Sequence, residues 1–199
     1  MALSSKQIED KIFIINEIIE ELEPYFKERK PDDVLVRIRF PWGIIHTADE
    51  YRKFFPFIMN PTLKTNIAYT LQLTDVFKWI IRWFDLKGVV REMLIKTGII
   101  IFTSIQEAIT YDFVDNYVPE AVNKKYNKNL KKLKKFEIIT QSQFDDFERC
   151  RSMRDDIHLH RLVQPEREKY TLNHYNYVGG CLNKMKDIFL KHYLKTKNQ

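Results

Sequence analysis

Arg151, Arg154 and His158 stand at spacings of three and four, so on a helix turning about 100° per residue they share one stripe with Phe147. A histidine flanked by two guanidiniums is held toward its neutral form, which can take a proton from a hydroxyl. An arginine in the same place can stabilise charge that develops on a phosphate. A base and two phosphate-binding cations are a minimal set for attack of a ribose 2′-hydroxyl on its own phosphodiester, a reaction that requires no metal ion. Cys150, Met153 and Ile157 lie on the adjoining face and are expected to point into the core. That arrangement puts the polar groups at the edge of an apolar contact. The same arginines have a plainer reading as ion-pair partners, because Asp145, Asp146, Glu148, Asp155 and Asp156 are within helical reach.

The segment Cys150-Arg-Ser-Met-Arg-Asp-Asp-Ile-His-Leu159 resembles the signature of the HEPN superfamily (higher eukaryotes and prokaryotes nucleotide-binding). In that signature an Arg, followed by Asn or another polar residue, precedes a His near the end of a helix. Six residues separate Arg151 from His158 and five separate Arg154 from His160. The favoured Asn is replaced by Asp155, which keeps a polar group and adds negative charge. The stretch Gly98-Ile-Ile-Ile-Phe-Thr-Ser-Ile-Gln-Glu-Ala-Ile109 resembles the long central helix of such domains, whose Glu approaches the motif arginine; here that residue is Glu107. The resemblance spans residues 60–195. It implies a metal-independent endoribonuclease of a toxin or phage-defence type, or else a catalytically silent module that binds a partner protein or a nucleotide. It further implies RNA as substrate, a homodimer pairing two motifs across a shared cleft, and an antitoxin or other protein as a further partner. No cofactor or metal is expected. His158 is the base if the helix continues to residue 160, and His160 takes that role if the helix ends near Ile157.

Asn123 to Lys135 carries Lys124, Lys125, Lys128, Lys131, Lys132, Lys134 and Lys135 with no acidic residue among them. Near an RNA-cutting cleft such a run could hold the phosphate backbone by counterion release, with Tyr126 as a stacking face. A solvated connector between helices is the ordinary use of a charge run. His46 precedes a helix cap, while His174 and His192 belong to the last helix. None forms a metal-ligand spacing with other residues.

The elements that must position these groups are helical. Ile8, Ile12, Ile15, Ile18, Ile19 and Leu22 mark an amphipathic helix over 5–23, with a Ser4/Gln7 capping box and Pro24 ending or kinking it. Val34 to Phe40 alternates as a short strand or extended excursion. Thr47-Ala-Asp-Glu50 caps a short helix, and Asn60-Pro61 opens a longer one that ends near Asp85-Leu-Lys-Gly88. Val89 to about Val118 is apolar on most of its circumference, as a central helix should be. Further helices start near Ser142 and Thr171, the latter with Gly179-Gly180 permitting close packing. The expectation is an all-α bundle of about five or six helices, with residues 1–59 an N-terminal extension packed on a HEPN-like domain over 60–199.

Composition bounds the rest. With 199 residues, 44% of them hydrophobic and 30% charged, the chain can bury a continuous core. Cys150 and Cys181 form no metal or disulfide framework, and the N-terminus turns acidic before an apolar run, so a reducing, cytoplasmic setting is expected. The most apolar stretch, Gly98 to Phe102, is far shorter than a membrane span. The net charge of +6 favours polyanions only where it is clustered.

Overall fold

The computed structural model describes residues 3–28, 40–155 and 169–198. Among them are seven α-helices and one short 3₁₀ turn, Trp42–Ile44. The chain divides into two compact units after Pro41. Residues 42–59 therefore belong with the helices that follow them. The expected excursion at 34–40 lies almost wholly outside the described residues.

The first unit contributes α1 (Ser5–Glu28), opened by the Ser4/Gln7 capping box. It does not end at Pro24. A proline removes the backbone donor that would meet the Glu20 carbonyl, and on this exposed helix water can satisfy that carbonyl instead.

The second unit holds α2 (Ala48–Phe54), α3 (Pro61–Trp83), α4 (Gly88–Tyr117), α5 (Tyr126–Lys135), α6 (Gln141–Asp155) and α7 (Leu172–Lys197). Thr47 caps α2 in a full capping box, and Asn60 caps α3 with Pro61 in the first turn. The helix count exceeds the expected five or six because the lysine run is itself a helix. Tyr126, Leu130 and Leu133, at spacings of four and three, bury an apolar side that anchors α5 despite its charge. Asn129 adds two hydrogen bonds to the Asn123 backbone. Glu137, at φ 55°, then turns the chain out of the helix in the left-handed region.

Helix α4 touches α3, α5, α6 and α7 and forms the axis of the core. The Phe113 and Phe189 rings stack at 3.9 Å, with Phe57 edge-on to both. Each such fully buried side chain contributes about 1.5–3 kcal/mol. Asp112 accepts the backbone N–H groups of Met59 and Asn60, which ties the start of α3 to α4. Across the α4/α7 contact Gly179 meets the Phe102 ring, and Gly98 lies under Tyr175. Gln106 is buried there and donates to the Val178 carbonyl at 3.1 Å. Among the described residues no helix is long and apolar enough to cross a membrane.

Candidate functional site

Phe147 and Cys150 are fully buried and fix α6 against α4 and α7. Arg151 and Arg154 follow in the last turns of α6, half-buried at the edge of that contact. Arg154 Nη1 reaches Glu107 Oε1 on α4 at 2.5 Å. Arg151 turns the other way along its own helix, with Nε 3.4 Å from Asp155 and Nη1 4.0 Å from Glu148. The structure thus brings Glu107 to Arg154 and Asp155 to Arg151. Both guanidiniums carry a carboxylate. His158 and His160 lie outside the described residues, as do Asp156 and Ile157.

Glu107 also lines a cleft of about 340 Å³ with Ser104, Tyr111, Lys124 and Asn129. Lys124 is the member of the lysine run that enters it. Lys125, Lys128 and Lys131 are exposed. Lys132 and Lys135 converge on Glu120, and Lys132 also donates to the Ala121 carbonyl. Lys134 donates to Gln141 and lies over the Phe144 ring. The run lacks acids in sequence, yet folding supplies Glu120 from the preceding turn. Three of its seven lysines are engaged. Tyr126 lines the same cleft, with its ring largely buried as an anchor of α5, so the stacking surface it offers is small; that burial holds its hydroxyl well above the usual phenol range.

The far side of α6 is tied to α7. Asp146 accepts from Lys184 at 2.6 Å and from the Tyr177 hydroxyl at 3.0 Å. These bonds, Lys184 foremost, hold its carboxyl below the usual range and raise the Lys184 ammonium. The Arg149 guanidinium covers the Tyr177 ring at 4.9 Å. Cys150 and Cys181 are buried free thiols, and the neighbouring Cys181 together with burial pushes the Cys150 thiol upward.

A second polar cluster escaped sequence reasoning. His46 is bound to Asp75, 29 positions away, through both its backbone N–H at 3.0 Å and its ring Nδ1 at 3.1 Å. Both line a cleft with Lys78, Trp79, Arg82 and Trp83. The helical spacing of the five α3 residues was visible in the sequence; the loop histidine that joins them was not. No protein-family model, curated protein or solved structure matches the chain.

Proposed function

We propose that this chain is a metal-independent endoribonuclease of HEPN type, acting on RNA as a homodimer in a toxin or phage-defence setting in the cytoplasm. The observation that carries the reading is the contact between Arg154 and Glu107 beside a cleft that Lys124 enters. Glu107 holds the guanidinium at the cleft in the resting state. A phosphodiester arriving there competes for it as a second anion, and the half-exposed pair offers little resistance, about 1 kcal/mol or less. Arg154 then stabilises charge on the attacked phosphate while the motif histidine, His158 or His160, takes the 2′-hydroxyl proton.

A second reading has a specific observation in its favour: Arg151 and Arg154 both already hold carboxylates. In that case the motif is structural, and the chain is a non-catalytic helical module for a partner protein or a nucleotide.

The test is cleavage of single-stranded RNA by purified protein in EDTA, with analysis of the ends. The nuclease reading expects 2′,3′-cyclic phosphates, loss of cutting in His158→Ala or His160→Ala, and a loss of about tenfold or more in Arg154→Ala. Glu107→Gln should retain cutting, since the role of Glu107 is to hold the arginine. Full activity in both histidine variants would leave the module reading in place.

A further inference from the structure

We propose that the cleft between α3 and the segment preceding α2 binds a nucleotide unit, with its phosphate on Lys78 and Arg82 and its base on the tryptophan side. The inference is independent of the nuclease reading and uses none of its residues.

The argument begins with α3. On a helix turning about 100° per residue, Lys78 and Arg82 stand about 60° and 20° to one side of Asp75, while Trp79 and Trp83 stand about 40° and 80° to the other. One face therefore carries a cationic strip alongside an aromatic strip. Lys78 and Arg82 are exposed and have no acidic partner among the described residues. Asp75, the carboxylate on this face, is taken up by His46. Trp83 is 65% exposed, and Trp79 is backed edge-on by Phe84 at 4.9 Å. An exposed indole beside two unpaired cations matches a ligand with a flat ring and an anionic group.

His46 completes the cleft and is held there rigidly. Its carbonyl accepts from Gln72 at 3.0 Å, and its N–H donates to Asp75, so two positions of α3 fix the backbone. The imidazole packs on the Tyr51 ring at 5.2 Å and edge-on to Phe54. With Nδ1 against the Asp75 carboxylate, Nε2 on the opposite edge of the ring has no partner among the described residues. With Nδ1 so engaged, Nε2 is the ring atom left to meet a ribose hydroxyl. The cleft holds about 180 Å³. That is below the roughly 300 Å³ of ordinary small-molecule pockets, so it takes the phosphate and sugar while the base lies at the rim on Trp83.

The chain supplies its own reporter. Its three tryptophans are Trp42, Trp79 and Trp83; two line the cleft, and the third is two positions from the lining residue Ile44. Intrinsic fluorescence of the intact protein is to be titrated with adenosine 5′-monophosphate, inorganic phosphate, adenosine and a short oligoadenylate RNA. Saturable quenching by the mononucleotide, stronger than by phosphate or adenosine alone, is expected of a free nucleotide as ligand. Quenching by the RNA with none by the mononucleotide identifies a nucleotide within a strand. The Lys78→Ala/Arg82→Ala double variant should bind about tenfold or more weakly. These exposed side chains can be removed with the fold intact, as circular dichroism will show. Inorganic phosphate matching the nucleotide would overturn the aromatic half of the proposal. No quenching by any ligand, or unchanged affinity in a folded double variant, would overturn it entirely.

Discussion

The ring of Tyr175 lies so close over Gly98 that a Cβ at position 98 would stand 2.3 Å from its Cε2. Tyr175 is itself buried and packs against the Phe102 ring at 5.1 Å, so the ring has little room to retreat. Gly98→Ala should therefore destabilise the protein by about 1–2 kcal/mol, with overpacking outweighing the gain in helix propensity. Gly180 makes the control, since a Cβ there meets nothing within 4 Å. Gly180→Ala should stabilise by about 0.5–1 kcal/mol. Urea midpoints of the two variants check both signs.

The lysine run divides into free and engaged members, and RNA binding should divide with it. Lys124→Ala with Lys131→Ala is expected to flatten the dependence of log affinity on log salt by about 0.7 per lysine for a single strand. Lys132→Ala with Lys135→Ala should leave that slope near the parent's, because Glu120 holds both ammoniums. It should instead lower stability only slightly, since these are surface ion pairs. Filter binding across a salt series separates the two outcomes.

Asp146 predicts how acid weakens the α6/α7 contact. Its folded-state pKa is depressed, first by Lys184 and then by the Tyr177 hydroxyl. Its contribution is therefore present in full above the unfolded carboxyl's pKa, about 4, and is lost as pH falls through the lower folded value. Asp146→Asn should cost about 0.5–1 kcal/mol at pH 7. The gap between parent and variant should narrow steadily below pH about 4, as denaturant midpoints at several pH values will read.

Helix types and caps were legible because their signals are local. Ser4/Gln7, Thr47/Glu50 and Asn60-Pro61 are short-range hydrogen-bond patterns, and the structure forms each of them. The lysine run was harder, since its anchors Leu130 and Leu133 are few among seven charges and its counter-ion, Glu120, lies outside the run. The nearness of Glu107 to Arg154, 47 positions apart, came from a family resemblance; no spacing rule could supply it. His46 and Asp75 carried no signal at all, because a loop residue meets a helix residue only through the packing of α2 on α3.

Gln106 and Glu107 are neighbours with opposite surroundings, one sealed in the core and the other at the cleft. The hydrogen bond that the Gln106 amide donates to the Val178 carbonyl works as a vernier. Sliding α4 along α7 by a single residue would strand that amide in apolar surroundings, at a cost of about 1–3 kcal/mol. Leucine at 106 would pack as well in several alignments and would enforce none of them. Because α6 is tied to the same α7 through Asp146, Lys184 and Tyr177, the height at which Glu107 meets Arg154 is set from inside the protein, by a side chain sealed in the core.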